Sequence, residues 1–264
     1  MKELSILGLQ VPITPLDTAS SILEEYLQNI DPVRNSIIIL PERWISDVVE
    51  VNNEKFSSII DALCDFSREK SAALVPGSFL INGGKAIRNS SPFIVNGKVL
   101  GWQEKISPFL NERLRVSGGN KINTFDFLDL KIGIAICYDI DFPYYSRILA
   151  KEGCDLIINP ALIVENFHDM WHLYVKARSI ENRIGIVSVN SSTEIFSGES
   201  IASFPFPHLF GAKLNTTTAS IDSILDVTFD YESIRDLRKK RLEEDPGEYI
   251  FNSMNKPQKI EGES

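Results

Sequence analysis

The chain has 264 residues, of which 43% are hydrophobic and 24% are charged, and its formal net charge is −9. This length and composition are typical of a globular protein with a large buried core, in one large domain or two small ones. The excess of acidic residues argues against general binding to nucleic acid or to anionic membranes.

The first third of the chain alternates between strand and helix patterns. Apolar residues at helical spacing predict helices, and short continuous apolar runs predict buried strands. The predicted strands are residues 4–11, 36–40, 72–75 and 79–82, and the predicted helices are residues 19–30 and 56–70. The alternation is typical of α/β proteins.

The rest of the chain adds a hairpin to this pattern. Residues 93–100 are two short apolar runs around Asn96-Gly97, a strong signal for a two-residue hairpin turn. Further predicted strands are residues 125–130, 131–137, 155–159 and 184–190, and further predicted helices are residues 144–151 and 169–183. We therefore expect an α/β fold in which helices cover a mixed sheet, or in which two such layers lie back to back.

The C-terminal region contains one basic run and a polar end. The run comprises Arg235, Arg238, Lys239, Lys240 and Arg241, which we interpret as the solvated face of a helix. We expect a single domain over residues 1–245 and a polar tail over residues 246–264.

Three cysteines, Cys64, Cys137 and Cys154, are too few and too irregularly spaced for a disulfide framework. The N-terminal apolar stretch is too short for a signal peptide, and no apolar run approaches the length of a membrane span. We expect a cytoplasmic protein with reduced thiols and no contact with membranes or nucleic acid. Cys64 lies within a predicted helix and Cys154 in a turn, and we interpret both as structural.

Three predicted strands lead to a chemical group. The run 36–40 leads to Glu42, the second hairpin strand to Lys105, and the run 132–136 to Cys137. Ligands of open α/β sheets gather beyond the carboxyl ends of strands, so the three side chains form a candidate site. Each also has an ordinary explanation, since a lone cysteine is usually buried packing and most glutamates and lysines are solvated.

A nucleophilic Cys137 needs a base and a positive neighbour, because the thiolate is the reactive species. The chain has only three histidines, His168, His172 and His208. Glu42 could instead take the thiol proton, and Lys105 could stabilise the thiolate and then an oxyanion. This division of roles is chemically coherent, but spacing alone does not establish it.

The sequence resembles the carbon–nitrogen hydrolases of the nitrilase superfamily. The resemblance extends over residues 4–245, and its three chemical motifs occur in the family's order and at similar intervals. The three chemical motifs are Leu40-Pro41-Glu42, Lys105-Ile106, and residues 133–139 with Phe142-Pro143 and Arg147. Further matching segments are residues 153–157, Asn159-Pro160-Ala161, residues 177–182, Val189-Asn190 and residues 196–200.

The resemblance implies a four-layer α-β-β-α sandwich and a role for each matching residue. Glu42 would be the general base, Lys105 the stabiliser of the oxyanion and Cys137 the nucleophile that forms a thioester. Glu112 fits the second glutamate that many members carry after the lysine. For substrate binding, the resemblance implies the Tyr138 backbone N–H in the oxyanion hole and Ala161 and Leu162 near the acyl pocket.

The resemblance also implies partners and chemistry. We expect a small amide or a nitrile as substrate, no cofactor or metal, and a homodimer or larger homo-oligomer whose polar tail reaches the partner subunit. Amide hydrolysis is favoured over action on a nitrile or an N-carbamoyl amine because amidase-type members are more numerous. Two positions depart from the family pattern: Tyr144 replaces a frequent acidic residue, and Ser179 replaces an alanine.

Several rival interpretations start from other residues. His168 and His172 are four apart in HDMWH, but a zinc protease motif needs glutamate where Asp169 stands, and a third ligand is missing. Gly198-Glu199-Ser200 lacks the rest of a serine nucleophile elbow, and Gly83-Gly84-Lys85 lacks the first glycine of a phosphate loop. A non-catalytic scaffold and an acyl transferase acting through the same acyl-enzyme remain as alternatives.

Overall fold

A computed structural model of the protein describes residues 3–245 and Gly247, so the tail predicted over residues 246–264 lies outside the described residues apart from that glycine. The helices are α1 (Leu16–Gln28), α2 (Glu54–Lys70), α3 (Pro143–Lys151), α4 (His168–Asn182) and α5 (Glu232–Glu243). The strands are β1 (Glu3–Gly8), β2 (Ile37–Ile39), β3 (Val48–Glu50), β4 (Ala73–Val75), β5 (Phe79–Asn82), β6 (Ile87–Val95), β7 (Lys98–Glu104), β8 (Thr124–Phe127), β9 (Leu130–Ile134), β10 (Leu156–Pro160), β11 (Gly185–Val189), β12 (Ile201–His208), β13 (Gly211–Thr218) and β14 (Leu225–Asp230).

The first sheet has the strand order β14-β1-β2-β4-β6-β5-β3, and β7 also pairs with β6. Its central strands are buried on both faces, which explains their continuous apolar sequence. Ile37 and Ile39 belong to the core that includes the second sheet, whereas Ile38 packs with residues of α1 and α2. Side chains alternate along a strand, so one short strand serves two layers.

The second sheet has the order β13-β12-β11-β10-β9-β8, with β9, β10 and β11 parallel. Helix α4 packs on β11 and β12, α3 packs on α4, and α5 packs on β12. Helices α1 and α2 cover the opposite side of the molecule, over the first sheet. The four layers therefore follow the predicted α-β-β-α order.

The predicted elements differ from the observed ones mainly at their ends. The hairpin is confirmed, and Asn96 and Gly97 both adopt the left-handed conformation that its turn requires. Strand β9 ends at Ile134, so Cys137 lies in the turn beyond the strand rather than within it. Strands β3 and β12 to β14 were not predicted, because their sequences mix polar residues, prolines and short apolar runs.

The interpretation of the basic run as a solvated face is wrong for Arg238. Its side chain is buried and makes a 2.6 Å ion pair with the buried Asp155, which also binds Arg235 at 2.7 Å. Helix α5 is thereby attached to the start of β10. Within the described part of the chain, no helix combines the length and the apolar character needed to cross a membrane.

Candidate active site

Glu42 lies in the turn after β2, which ends at Ile39, and directly follows Pro41. Its N–H donates to the Ala161 carbonyl at 3.3 Å, which links the first sheet to the end of β10 in the second sheet. Gly77, with φ of 77°, lies against this turn, and a Cβ at that position would overlap the Pro41 carbonyl oxygen. The turn therefore depends on a glycine beside it.

Lys105 follows β7 and is buried with its amino group between two carboxylates. Its Nζ is 2.8 Å from Glu42 Oε1 and 2.8 Å from Glu112 Oε2. Burial lowers the pKa of Lys105, but the negative charges of Glu42 and Glu112 outweigh it and raise the pKa above its ordinary value. The lysine therefore stays a cation at neutral pH.

Glu112 lies in a 3₁₀ turn, Leu110–Leu114, that begins five residues after the lysine. Its Oε2 also accepts the Phe109 N–H at 2.9 Å. Burial raises the pKa of Glu112, but the Lys105 ammonium and three hydrogen bonds lower it below its ordinary value. The carboxylate is therefore ionised when it faces the lysine.

Asn89, on β6, was missed by the sequence interpretation. Its Nδ2 donates to Glu42 Oε1 at 2.8 Å and to Glu112 Oε1 at 3.1 Å. The amide therefore bridges the two glutamates that also hold the lysine, and it shares Glu42 Oε1 with Lys105. The available signal was an asparagine inside a strand, where this residue type is uncommon.

Cys137 begins a 3₁₀ turn, Cys137–Asp141, and has a left-handed φ of 44°. A side chain in this conformation costs free energy, and such outliers concentrate at functional sites. The thiol faces the Glu42 carboxylate, which accepts its S–H, and the Leu162 N–H donates to the sulfur. Burial and the Glu42 charge raise the pKa of the thiol well above its ordinary value, although the Lys105 charge opposes them.

Asp139 is a second residue that the sequence interpretation missed. Its buried carboxylate accepts the N–H groups of Ser107 at 2.7 Å, Ile136 at 3.2 Å and Ile106 at 3.3 Å. It thus joins the loop after Lys105 to the turn that carries Cys137. Burial raises the pKa of Asp139 to about 6 despite these hydrogen bonds.

The three predicted substrate-binding residues lie around this cluster in different ways. The half-buried Tyr138 packs its ring against Phe109 at 4.8 Å and Phe142 at 5.1 Å. Ala161 is fully buried and contributes backbone hydrogen bonds to Glu42 and Val189. Leu162 lines the cavity above the cluster.

A cavity of about 360 Å³ opens onto the cluster, a size typical of small-molecule sites. It is lined by Glu42, Arg43, Lys105, Phe109, Leu110, Asn111, Glu112, Cys137, Leu162 and Phe196. The wall thus combines a thiol, a carboxylate that can take its proton, and an ammonium that can stabilise an oxyanion. This arrangement suits nucleophilic attack by sulfur on a carbonyl or nitrile carbon.

The histidines of the metal-site alternative lie apart from this cavity. His168 is buried, and its Nε2 contacts the Ile163 carbonyl oxygen at 3.2 Å. His172 Nε2 contacts the Glu199 carbonyl oxygen at 2.9 Å. Among the described residues, no three His, Cys, Asp or Glu side chains are grouped so that they could hold a metal ion.

Comparison with known proteins identifies relatives with named activities. The chain is 25% identical over 218 residues to an (R)-stereoselective amidase from Pseudomonas sp., covering 76% of this chain and 79% of that protein. It is 29% identical over 157 residues to a probable nitrilase of Schizosaccharomyces pombe, covering 58% and 57%. It is 28% identical over 143 residues to omega-amidase NIT2 of Mus musculus, covering 50% and 52%. The chain thus matches little more than half the length of the last two proteins.

Solved structures share the fold. Nit3 of Saccharomyces cerevisiae, a member of the nitrilase superfamily, superposes with a TM-score of 0.73 at 21% identity over 90% of this chain and 94% of that one. A CN-hydrolase superfamily protein from Xanthomonas campestris superposes with a TM-score of 0.76 at 19% identity over 93% and 98%. The sequence model of the carbon-nitrogen hydrolase family matches residues 10–238. With this match, and with the fold to support it, the chain belongs to the carbon–nitrogen hydrolase family.

Proposed function

We propose that the protein hydrolyses the C–N bond of a small amide through a thioester on Cys137. The observation that carries the proposal is the position of the Lys105 ammonium, 2.8 Å from Glu42 and 2.8 Å from Glu112. The Cys137 thiol beside it is hydrogen-bonded to Glu42. Base, nucleophile and cation thus face one cavity. The amidases among the relatives support an amide as the substrate.

In the first half-reaction, the Cys137 sulfur attacks the amide carbon while its proton passes to Glu42. The carbonyl oxygen becomes an oxyanion that accepts hydrogen bonds from Lys105 Nζ and from the Tyr138 backbone N–H. When the tetrahedral intermediate collapses, the C–N bond breaks and the leaving nitrogen takes the proton from Glu42. Ammonia leaves, and the acyl group remains as a thioester.

In the second half-reaction, Glu42 takes a proton from a water molecule, and the resulting hydroxide attacks the thioester carbon. Lys105 and the Tyr138 N–H again stabilise the oxyanion. The C–S bond then breaks, the sulfur regains its proton from Glu42, and the carboxylic acid leaves. In each half-reaction Glu42 therefore accepts one proton and donates one, which requires a carboxylate next to both the sulfur and the leaving group.

The raised pKa of the Cys137 thiol decides when the proton moves. Because burial and the Glu42 charge disfavour the thiolate, the resting sulfur is protonated at neutral pH. In the proposed mechanism, proton transfer to Glu42 therefore accompanies the attack on the substrate. Glu112 holds the Lys105 ammonium in place, since its ionised carboxylate is one of the lysine's two partners.

The same residues could serve related reactions. A nitrile or an N-carbamoyl amine presents an electrophilic carbon to the same sulfur, and an amine in place of water would give acyl transfer. A non-catalytic scaffold is the alternative of a different kind. The joint burial of Glu42, Lys105 and Cys137 around one cavity favours chemistry, because buried charged groups are costly to keep even when they are paired.

We further propose a homodimer in the cytoplasm. Exposed apolar residues on the outer helices support the pairing, among them Ile148 on α3 and Met170 and Leu173 on α4. Sedimentation of the wild type beside a Leu173→Glu variant tests this, since a charge in a dimer interface would shift the protein to a monomer.

The function is tested by ammonia release from a panel of amides, half-amides, N-carbamoyl amines and nitriles. Release by the wild type should disappear in Cys137→Ala and in Glu42→Gln. Cys64→Ala is the matched control, because it removes a half-buried thiol on α2, outside the site. Full activity in Cys137→Ala or Glu42→Gln would refute the mechanism, and the responding compound class would identify the reaction.

A further inference from the structure

Arg43 lines the active-site cavity but has no role in the mechanism proposed above. It directly follows Glu42 in the chain, and its N–H donates to the Ser78 carbonyl at 2.9 Å. Its φ is 47°, a left-handed conformation that costs free energy for any residue with a Cβ. The backbone thus holds an arginine at the cavity wall at some energetic cost.

The Arg43 guanidinium makes no hydrogen bond or ion pair with any residue that the structure describes, and its Nε is buried without an acceptor. Buried guanidinium nitrogens in native proteins are normally paired, because a lost hydrogen bond to water is expensive. An arginine left in this state beside an active-site cavity is therefore short of an acceptor that a ligand could supply.

The charges around the cavity point to the sign of that ligand. The other cation of the wall, Lys105, is already neutralised by Glu42 and Glu112. Of the two cations among the described residues that line the cavity, Arg43 is therefore the one that is not paired with a carboxylate. A guanidinium presents parallel N–H donors that match the two oxygens of a carboxylate.

From this we infer that the substrate is a half-amide of a dicarboxylic acid, whose free carboxylate binds to Arg43 while its amide lies at Cys137. The inference rests on the proposed amide hydrolysis and adds the chemical class of the substrate. The apolar wall residues Phe109, Leu110, Leu162 and Phe196 suit the methylene chain between the two ends. Arg43 acts in binding and specificity, and it takes no part in the proton transfers.

The test compares succinamate and glutaramate with the uncharged diamides succinamide and glutaramide, which differ only in replacing the carboxylate by a carboxamide. We expect the wild type to prefer one of the half-amides by about tenfold or more in kcat/KM, the effect of one charge-assisted hydrogen bond. In Arg43→Met this preference should fall to about one, and in Arg43→Lys it should be intermediate. Both variants carry the same left-handed backbone cost, so their comparison isolates the charge.

Equal kcat/KM for half-amides and diamides in the wild type, or a preference unchanged in Arg43→Met, would overturn the inference while leaving amide hydrolysis intact. If no compound is turned over, binding of succinamate and succinamide to the Cys137→Ala variant decides the question by calorimetry. Tighter binding of the half-amide that disappears when Arg43→Met is added would support the anion site although the proposed reaction had failed. Equal binding of the two compounds would overturn the inference.

Discussion

The amide nitrogen of Asn89 lies 2.8 Å from Glu42 Oε1 and donates a second hydrogen bond to Glu112. One side chain thus connects the glutamate next to the thiol with the glutamate that supports the lysine. The carboxamide can do so because its two N–H bonds point in different directions. A flipped amide would place its oxygen against two carboxylates, so the orientation follows from charge.

Replacing Asn89 by aspartate should alter the pH dependence of the enzyme. Burial raises the pKa of Glu112, and the Lys105 charge together with hydrogen bonds from Phe109 and Asn89 lowers it. Asn89→Asp removes one of these hydrogen bonds and adds a negative charge, so the pKa of Glu112 should rise. We expect kcat/KM to fall about 10- to 100-fold, and its acidic limb to move to higher pH.

The control for Asn89→Asp is Ser67→Ala, which removes a buried hydrogen bond to the Ala72 carbonyl at the end of α2. This variant should lose stability without a change in the pH profile of kcat/KM. If Asn89→Asp kept the acidic limb of the wild type, the asparagine would have only a structural role.

Asp139 should make the stability of the protein depend on pH. Its pKa rises from 3.8 to about 6 on folding, so its contribution is fully present below pH 3.8 and is lost as the pH rises through 6. An increase of about two in pKa corresponds to about 3 kcal/mol. Relative to Asp139→Asn, the wild type should therefore lose up to about 3 kcal/mol of unfolding free energy between about pH 4 and pH 7.

Urea unfolding of both proteins across this range measures the difference, in which all other titrating groups cancel. A difference in unfolding free energy that stays constant with pH would show that the Asp139 pKa is not raised. The same variant should also lower kcat, because a carboxamide accepts fewer of the three N–H groups that join the Lys105 loop to the Cys137 turn.

Alanine substitutions at two glycines with similar φ can distinguish the cost of a strained backbone from the cost of a steric overlap. Gly77 has φ of 77° and Gly84 has φ of 81°, but a Cβ would overlap the Pro41 oxygen at Gly77 and meet nothing within 4 Å at Gly84. Gly84→Ala should cost about 1 kcal/mol of unfolding free energy through its backbone conformation alone. Gly77→Ala should cost about 2 kcal/mol more, and should lower kcat because the turn that carries Glu42 must move.

Thermal unfolding and ammonia release measured on both glycine variants check this prediction. Equal losses of stability would mean that the Pro41 turn yields freely. Full activity in Gly77→Ala would mean that its position does not control Glu42.

The ion pairs of Asp155 should contribute far more to the free energy of unfolding than an exposed ion pair does. Asp155 accepts hydrogen bonds from Arg235 and from the buried Arg238. Asp155→Asn leaves the Arg238 charge buried without a counter-charge and should cost about 3 to 5 kcal/mol of unfolding free energy. Asp17→Asn, which breaks the exposed pair with Lys55, should have a small effect.

Chemical unfolding of the two variants measures both effects. Because Asp155 lies outside the active-site cavity, Asp155→Asn should retain kcat at temperatures where it is folded. Similar stability losses in the two variants would show that burial does not strengthen the Asp155 cluster.

The positions of the three chemical groups could be predicted from local sequence. Apolar runs end at Leu40 and Ile136, and a turn residue or a polar residue follows each, so Glu42 and Cys137 were expected at strand ends. The Asn96-Gly97 hairpin aligns β7 with β6, which delivers Lys105 to the same edge. These signals are local, because side-chain period and turn chemistry depend on near neighbours in the chain.

The supporting residues could not be predicted in this way. Asn89 donates a hydrogen bond to Glu42, which is 47 positions away in the sequence, and Asp139 accepts one from Ser107, which is 32 positions away. Neither residue type in its local context indicates such a partner, since any buried polar group needs one and sequence does not say which. The same reason explains why Arg238, part of a run that looks solvated, is buried against Asp155.

The sequence by itself therefore determined the α/β layers and the order in which a carboxylate, an ammonium and a thiol reach the strand ends, because both follow from short-range periodicity. Only the tertiary structure decided how those groups are held: which amide bridges the glutamates, which carboxylate joins the loops, and which arginine stands unpaired at the cavity. Those relationships depend on long-range packing and on the desolvation of charge, which act between residues far apart in the chain.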